Sequence, residues 1–250
     1  MANNHPIYFI HGWGMNRAVW QPTFEQLSQK TKRPLIALDL PGYGNSINQL
    51  PTNYNLAEIS QQVATQMQTP GMILGWSLGG LVAQQIAISQ PELVDQLVLV
   101  GSSPFFAASD NWPGIQNKVL SNFQQQLKLD YKKTLERFLA IQAMGSADAK
   151  QDIKTLKALL LTCEEPNAEA LAAGLVILQT ADLRGKIQQI AAPTYRLYGK
   201  LDSLVPKAAI SQIEDLHPQS TSYVFDKASH APFISHADEF CKYLQTLLNG

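Results

Sequence analysis

Six short apolar segments, most of them separated by longer segments of helical periodicity, constrain the fold of this chain more than any other feature. Several are apolar at every position, as strands buried on both faces of a parallel sheet are. A repeated strand–helix–strand pattern implies right-handed crossovers and a sheet covered by helices on both sides. We therefore predict an α/β fold with about six strands, mostly or wholly parallel, at residues 7–10, 34–40, 71–76, 97–101, 194–198 and 221–225.

The alternation stops after residue 104. Between residues 105 and 184 the periodicity predicts no strand but four helices, at residues 112–127, 131–142, 147–161 and 166–179. Open α/β sheets bind ligands at the carboxyl ends of their strands, so an all-helical insert between the fourth and fifth strands should cover that edge as a lid. We predict a core domain of residues 1–104 and 185–250 and an inserted helical lid at residues 105–184. Core helices are predicted at 20–29, 56–67, 78–88 and 238–248.

The composition excludes several classes of protein. With 45% hydrophobic and 16% charged residues, the 250-residue chain can bury a large core, which excludes disorder. Its net charge of −1 gives no global sign of nucleic-acid or membrane binding. Cys163 and Cys241 lie in apolar helical patterns without metal-type spacing, so we expect two buried thiols and no metal site. No secretory signal and no apolar run of about 18 to 20 residues is present, which predicts a cytoplasmic protein.

The segment GWSLGG, residues 75–80, lies between the third predicted strand and a predicted helix. This is the G-x-S-x-G pattern in the strand–turn–helix context that holds a serine on a tight turn at the edge of the sheet. Side chains two residues before and after the serine would clash there, which accounts for Gly75 and Gly79, and Gly80 lets the helix pack closely. The helix N-terminus would stabilise negative charge beside the serine. Ser77 is therefore the predicted nucleophile.

A second glycine-containing segment, FIHGWG at residues 9–14, follows the first predicted strand. A loop at this place can turn a backbone N–H towards the serine, so the amides of Trp13 and Leu78 are predicted to form an oxyanion hole. His11 precedes the serine in the chain, whereas folds of this kind place the base last. We interpret His11 as a structural, hydrogen-bonded histidine.

The general base should follow Ser77, on a loop after a late strand. His230 meets this requirement, because it lies in the segment DKASHAPF just past the sixth predicted strand. His217 precedes that strand and His236 begins the final helix, and both are predicted to be surface residues. His230 is the predicted base.

The acid that orients the base is expected after the fifth strand. Asp202 lies four residues beyond that strand, in the segment YGKLD, and is the predicted acid. The other candidates are less suitable: Asp215 lies in a helical pattern, Asp226 is too near His230, Asp182 lies at the exit of the insert, and Asp39 precedes the serine in a loop that we interpret as structural.

Six segments carry a resemblance to known proteins: FIHGWGMN (9–16), GWSLGG (75–80), WPGI (112–115), RFLAIQ (137–142), LYGKLD (197–202) and SHAPFISH (229–236). They resemble the α/β-hydrolase superfamily across nearly the whole chain. In detail they are similar to one family, the pimeloyl-[acyl-carrier protein] methyl ester carboxylesterases of biotin synthesis. The similarity within the insert is informative, because lids in this superfamily diverge faster than cores.

The resemblance implies a serine carboxylesterase without metal or organic cofactor, with Ser77, Asp202 and His230 as its triad. The implied substrate is the methyl ester of a pimeloyl thioester on acyl-carrier protein, and we expect a monomer. Besides Ser77 and His230, the implied substrate contacts are Trp13, Leu78, Phe138, Leu139, Ala140, Ile141 and Gln142. Relatives usually begin with an antiparallel hairpin, for which the few residues before Ile7 leave no room, so we expect a smaller and all-parallel sheet.

The predicted insert is basic. Residues 118–157 contain eight basic and four acidic residues, a charge of +4 against −5 for the rest of the chain. Lys133 and Arg137 are one helical turn apart, as are Lys150 and Lys154, so each pair shares a helix face. The pattern alone favours two solvated helix faces. Because acyl-carrier proteins are strongly acidic, the resemblance favours a surface that docks the carrier.

Other functions are compatible with the same residues. A general short-chain esterase, a C–C bond hydrolase or a menaquinone-pathway lyase would use the same serine, histidine and aspartate, and a substrate panel separates them. A binding protein that keeps the fold without turnover is the alternative from another class, and the intact set of three residues argues against it.

Overall fold

The computed structural model describes residues 4–146 and 148–249 of the chain. Its six strands form one sheet in the order β2-β1-β3-β4-β5-β6, and every neighbouring pair is parallel. The predicted α/β fold with an all-parallel sheet is confirmed. The strands are β1 (Ile7–Ile10), β2 (Leu35–Leu38), β3 (Gly71–Trp76), β4 (Val94–Val100), β5 (Thr194–Gly199) and β6 (Thr221–Phe225).

At least one helix lies between every two strands that are consecutive in the chain, including the predicted helix between β1 and β2. The α-helices are α1 (Gln21–Leu27), α2 (Leu56–Ala64), α3 (Leu78–Ser89), α4 (Asn117–Leu129), α5 (Tyr131–Ala143), α6 (Ala149–Leu160), α7 (Ala168–Thr180), α8 (Lys207–Leu216), α9 (Pro232–Ser235) and α10 (Ala237–Asn249). Four of them, α4 to α7, lie between β4 and β5 in the chain. Among the described helices none is long and apolar enough to cross a membrane.

The first helix of the insert begins later than predicted. The sequence pattern predicts its start at Trp112, but the helix begins at Asn117. The preceding residues form a tight turn with β-bridges from Ala107 to Ile115 and from Ser109 to Trp112. The indole of Trp112 also donates to the carbonyl oxygen of Phe105 at 2.8 Å, which holds that residue in the turn. The predicted start of the third insert helix, Ala147, lies outside the described residues.

The sheet is buried on both faces, as expected for parallel strands connected by helices. Along β1, Ile7 and Phe9 belong to one apolar cluster, whereas Tyr8 and Ile10 belong to the other. The first cluster is closed by α1 and α10. The second is closed by α2, α3 and the insert helices. Because both faces are packed, the sheet is a rigid support for the loops at the carboxyl ends of its strands.

The two cysteines differ in their surroundings. Cys241 is buried within α10, as predicted, and burial raises the pKa of its thiol to about 11. Cys163 is only half-buried and lies in a turn after α6, so the prediction of a buried helical thiol is wrong for this residue. The apolar pattern around Cys163 belongs to the end of α6, which stops at Leu160.

Candidate active site

Ser77 lies on the turn between β3 and α3. Its φ of 56° and ψ of −119° make it the one non-glycine residue with positive φ in the described part of the chain. Such a conformation is strained and persists only where its surroundings hold it. Its amide donates to the carbonyl oxygen of Val100 at 2.9 Å, and its carbonyl accepts from Ser102 Oγ at 3.0 Å. These two bonds to the end of β4 and the residues after it fix the turn.

The glycines around Ser77 are required by close packing. A Cβ atom on Gly75 would lie 2.4 Å from the carbonyl oxygen of Gly79, across the turn. A Cβ on Gly79 would lie 2.4 Å from the carbonyl oxygen of His11 on the neighbouring loop. Real Cβ atoms do not approach so closely, so the tight turn that the sequence pattern predicts is present.

His230 lies in the loop after β6 and is fully buried. Its Nδ1 atom is 2.8 Å from Oδ2 of Asp202, and since a carboxylate only accepts, Nδ1 carries the donated proton. Its Nε2 atom is buried and has no hydrogen-bond partner among the described residues. The hydroxyl of Ser77 is therefore not hydrogen-bonded to Nε2 in this structure. Such contacts are often longer in the absence of substrate than in the reacting complex.

Two neighbours hold His230 beside the turn that carries Ser77. The indole of Trp76, the residue before Ser77, donates to the carbonyl oxygen of His230 at 2.9 Å. Gly101, which follows β4 with a φ of +49°, packs against the imidazole: a Cβ there would be 3.1 Å from Nδ1. Ser77 is hydrogen-bonded to Val100 and Ser102, the residues on either side of Gly101. The same segment after β4 therefore positions both the serine and the histidine.

Asp202 uses both of its carboxylate oxygens. While Oδ2 accepts from His230, Oδ1 accepts from the amides of Leu204 at 2.8 Å and Val205 at 3.1 Å. The side chain of Asp202 is 0% exposed, so these bonds fix the direction of its carboxylate in a dry site. A carboxylate held in this way can stabilise a positive charge that develops on the imidazole.

The rival acids lie elsewhere. The carboxylate of Asp226 is 80% exposed and forms an ion pair with Lys200, whose hydrogen bond and charge lower the pKa of Asp226. Asp182 pairs in the same way with Arg184. Asp215 is exposed on α8. Among the weighed acids that follow Ser77, only Asp202 contacts the imidazole of His230.

The prediction that His217 is a surface residue is wrong. This histidine is 1% exposed, and its Nδ1 accepts a hydrogen bond from Nη2 of the buried Arg196 at 3.1 Å. Burial, and next the charge of Arg196, lower the pKa of His217 to about 4. Its position just after α8 gave no local sign of burial, because the partner comes from β5. His236 is half-buried and its Nδ1 is 2.8 Å from Ser235 Oγ.

The loop after β1 runs directly beside the serine. A Cβ atom on Gly12 would lie 3.1 Å from Cβ of Ser77. The side chain of the next residue, Trp13, is enclosed by the insert: its indole donates to the carbonyl oxygen of Leu171 at 2.9 Å, and its ring lies 4.7 Å from that of Phe138. Leu78 begins α3, and the first amides of a helix have no acceptor within it. The two predicted oxyanion-hole residues therefore flank Ser77.

His11 is a structural histidine, as predicted. Its Nε2 accepts from the amide of Leu40 at 3.0 Å, and its Nδ1 donates to the carbonyl oxygen of Gly12 at 2.8 Å. Burial is the main cause that lowers the pKa of this residue. Asp39, from the glycine-rich loop, accepts from the amides of Arg17 and Asn45, which supports the structural interpretation of that loop.

The five residues predicted as substrate contacts on α5 are not all in one place. Phe138 is buried against Trp13, and Leu139 is buried on the other side, in the cluster with β1 and α10. Ile141 is half-buried, and Ala140 is exposed on the outer face. Gln142 is 1% exposed, and the two polar atoms of its side-chain amide have no partner among the described residues. Its backbone carbonyl accepts from the amide of His230 at 3.1 Å.

All four basic residues of the predicted docking surface are exposed. Lys133 and Arg137 border a surface groove between α4 and α5, into which the exposed Leu129 also projects. Arg137 is hydrogen-bonded to Gln126 across this groove. Lys150 and Lys154 lie on the neighbouring helix α6. Among the described residues no group of three or more histidines, cysteines or acids is arranged to hold a metal ion.

Comparison with known proteins places the chain in a family. A model of the alpha/beta hydrolase fold matches residues 5–237. Among solved structures, the chain is similar to an esterase from Exiguobacterium antarcticum, with a TM-score of 0.87 and 22% sequence identity. The match covers 100% of this chain and 94% of the esterase. An enol-lactonase from Burkholderia xenovorans has a TM-score of 0.83 at 18% identity, covering 99% and 93%. At these identities the structural likeness concerns the fold alone.

Similarity in sequence is more specific. The pimeloyl-[acyl-carrier protein] methyl ester esterase of Aliivibrio fischeri is 48% identical over 243 residues, 97% of this chain and 93% of that protein. The enzyme of the same name from Aeromonas salmonicida is 47% identical over 239 residues, 96% and 93% of the two chains. The chain therefore belongs to the α/β-hydrolase fold family and, within it, to the family of the pimeloyl-[acyl-carrier protein] methyl ester esterases.

Proposed function

We propose that this chain is a serine carboxylesterase that hydrolyses the methyl ester of pimeloyl-[acyl-carrier protein] to the free acid and methanol in biotin synthesis. The observation that carries the proposal is the strained turn of Ser77 beside the buried His230–Asp202 pair, in a chain 48% identical to an esterase of that name over 97% of its length. Ser77, His230 and Asp202 serve as nucleophile, base and orienting acid.

In the first half-reaction, Ser77 Oγ attacks the ester carbonyl while Nε2 of His230 takes its proton. Nε2 has no hydrogen-bond partner in the part of the chain that the structure describes, so it is available for that proton. The carboxylate of Asp202 stabilises the imidazolium that forms. The oxyanion accepts hydrogen bonds from the amides of Trp13 and Leu78. Collapse of the tetrahedral intermediate breaks the ester C–O bond, and methanol leaves with the proton from His230.

In the second half-reaction, His230 takes a proton from a water molecule, whose oxygen attacks the acyl-enzyme. The new tetrahedral intermediate collapses, Ser77 recovers its proton from the imidazolium, and the carrier-linked acid leaves. Each step uses groups of this chain and water, and we expect no metal or organic cofactor.

Residues 105–184 act as the lid in this proposal. Ser77 is 1% exposed and His230 is fully buried, so an ester reaches them only when the covering helices move. Trp13, Leu78 and Phe138 would line the acyl chain near the serine, with Ile141 and Gln142 further along α5. Leu139, which packs on the other side of the helix, would support this wall rather than touch the substrate. Ala140, which faces outwards, would touch the carrier rather than the acyl chain.

The carrier would dock on the basic surface formed by Lys133, Arg137, Lys150 and Lys154. These side chains are exposed on α5 and α6, the helices adjacent to the acyl path. Charge complementarity with an acidic carrier acts mainly on the association rate. At 0.1 M ionic strength, salt screens the attraction between exposed charges that are more than about 10 Å apart. The carrier-linked reaction should therefore slow as salt is added.

The docking proposal is tested by reversing the four charges to Glu and comparing two substrates. We expect kcat/KM for the carrier-linked ester to fall, while a small nitrophenyl ester is cleaved almost as before. A matched control reverses four exposed lysines outside the insert, Lys30, Lys32, Lys207 and Lys242, which changes the net charge equally. If the insert variant and the control variant behaved alike on the carrier-linked ester, a specific docking surface would be ruled out.

The assigned reaction is tested with the purified protein and in cells. Methanol release from the carrier-linked methyl ester should exceed turnover of unrelated short esters, C–C bond substrates and menaquinone precursors. Expression of the chain should restore growth without biotin in a strain that lacks this esterase. A fluorophosphonate probe that fails to label Ser77 would favour a binding protein on the same fold. Its location in the cytoplasm and its monomeric state are predictions for cell fractionation and light scattering.

A further inference from the structure

The C-terminal end of α5 is bonded to the loop that carries His230. The amide of His230 donates to the carbonyl oxygen of Gln142 at 3.1 Å, and Ser229 Oγ donates to the carbonyl oxygen of Met144 at 2.9 Å. The last four carbonyls of a helix have no acceptor role within the helix. Two of the free carbonyls at this helix end are thus used by two consecutive residues of the loop after β6.

The same helix end also contacts the loop of Asp202. Gly145, with a φ of +90°, packs so closely on Leu201 that a Cβ there would be 3.2 Å from Cβ of Leu201. The amide of Leu201 in turn donates to the carbonyl oxygen of Ala228 at 3.0 Å. The loops of the acid and of the base are therefore joined to each other, and both rest on the end of α5.

Earlier turns of α5 contact the loop beside Ser77. Leu135 lies against Gly14, where a Cβ would be only 2.6 Å from its Cδ2 atom, and Phe138 lies against Trp13. A helix of 13 residues is a rigid element about 20 Å long. This one element spans from the predicted oxyanion side of the site to the side of the base.

We propose that Ser229 is a positioning residue: its hydroxyl, bonded to the carbonyl of Met144, ties the His230 loop to the end of α5 and so sets the direction of Nε2. The proposal rests on the proposed function in taking His230 as the base. The ring of His230 is held by one hydrogen bond, from Nδ1 to Asp202, about which it can tilt. The backbone on either side of the ring therefore determines where Nε2 points.

The expected consequence concerns turnover and not binding. Ser229 is 2% exposed and its hydroxyl is occupied by the bond to Met144, so it offers no group to a substrate. Without that bond the loop keeps the hydrogen bond from the His230 amide to Gln142 and the one from Trp76 to the His230 carbonyl, but it loses its second anchor on the end of α5. A misplacement of about 1 Å at a catalytic group costs on the order of a hundredfold in rate.

The test compares three substitutions of Ser229 on a nitrophenyl ester, which does not depend on carrier docking. Ser229→Ala removes the hydroxyl, Ser229→Cys keeps the volume but donates weakly, and Ser229→Thr keeps the hydroxyl. We expect Ala and Cys to lower kcat by about ten- to a hundredfold with KM within about twofold, and Thr to restore most of the activity. Ser235→Ala, a hydroxyl deletion six residues further on, should leave kcat unchanged.

A second readout follows the histidine itself. The proton between His230 Nδ1 and Asp202 should give a low-field signal in proton NMR, and its shift or linewidth should change in Ser229→Ala but not in Ser235→Ala. Wild-type kcat and an unaltered signal in both Ser229→Ala and Ser229→Cys would overturn the proposal. So would a Ser229→Thr enzyme as impaired as Ser229→Ala. Ser77→Ala and His230→Ala are measured alongside: if they too were active, the proposed function itself would be wrong.

Discussion

Two histidines in this protein are buried to a similar degree, but their hydrogen-bond partners carry opposite charges. His230 is fully buried and donates from Nδ1 to the carboxylate of Asp202 at 2.8 Å. His217 is 1% exposed and accepts from the guanidinium of Arg196 at 3.1 Å. One imidazole therefore faces a negative charge and the other a positive charge.

The difference determines what each ring can do with a proton. A carboxylate stabilises an imidazolium, whereas a guanidinium opposes it. At His217 the hydrogen bond from Arg196 also occupies Nδ1, so that atom cannot accept another proton without losing the bond. At His230 the bond to Asp202 uses Nδ1, and Nε2 has no partner among the residues that the structure describes. Burial alone thus does not identify a general base. The charge of the residue that is hydrogen-bonded to Nδ1 distinguishes the two histidines.

The largest expected effect is on turnover when His230 or Ser77 is removed. His230→Ala and Ser77→Ala should each lower kcat by at least about a thousandfold, because the nucleophile and base act as one unit. His217→Gln, which keeps an acceptor for Arg196, should change kcat by less than about twofold. Steady-state kinetics on a nitrophenyl ester measures kcat for all three variants. Near-normal turnover in His230→Ala would contradict the assignment of His230, rather than His217, as the general base.

A smaller loss is expected when the partner of His230 is neutralised. Asp202→Asn keeps the size of the side chain but removes the charge that stabilises the imidazolium and fixes the tautomer. Its loss in kcat should be about ten- to a hundredfold milder than that of Ser77→Ala. Burst and steady-state kinetics provide the comparison. Unchanged turnover in Asp202→Asn would mean that another carboxylate is the acid.

The tight turn at Ser77 and the parallel sheet that carries it could be predicted from the sequence, because local rules determine both. The glycines around Ser77 predict a strained turn whatever the rest of the chain does, and the six-stranded parallel sheet follows from the alternation of strands and helices. The exposed side of Ala140 and the late start of α4 were not predicted, because they depend on packing against other elements. A family resemblance marks residues 138–142 as a stretch, but the helix turns each of them in a different direction.

The burial of His217 shows the same limit more clearly. A histidine that ends an amphipathic helix is typical of a surface position, and nothing in residues 207–217 indicates a partner. Arg196 does stand out within an apolar strand, since a charged residue at an inward position of a central strand requires a buried acceptor. That signal identifies one side of the pair, and only the three-dimensional fold identifies the other.

The third prediction concerns stability in acid. The pKa of His217 is about 4 in the folded chain and about 6.5 in the unfolded chain, so the unfolded state binds a proton over a range of pH in which the folded state does not. The contribution of His217 to stability is full above pH 6.5 and is lost as the pH falls towards 4. The loss should reach roughly 2 kcal/mol at pH 5 and about 3 kcal/mol at pH 4.

The measurement is urea unfolding of wild type and His217→Gln from pH 7 to pH 4. Carboxylates titrate in both proteins, so the difference between the two free energies of unfolding isolates His217. We expect the difference to shift in favour of His217→Gln as the pH falls. If it stayed constant over this range, the imidazole of His217 would titrate alike in the folded and unfolded chains, and the contrast with His230 would lose its electrostatic basis.

The smallest expected effect is at Asp226, the acid nearest to His230 in the chain among those weighed. Its side chain is 80% exposed and paired with Lys200, whereas the side chain of Asp202 is 0% exposed and hydrogen-bonded to the imidazole. Exposed ion pairs contribute little, because water and salt screen them. Asp226→Asn should therefore keep kcat within about twofold and leave the thermal midpoint unchanged, with Lys200→Met as the control for the ion pair. A large loss of kcat in Asp226→Asn alone, without a change in KM, would show that proximity in the chain outweighs burial in selecting the acid.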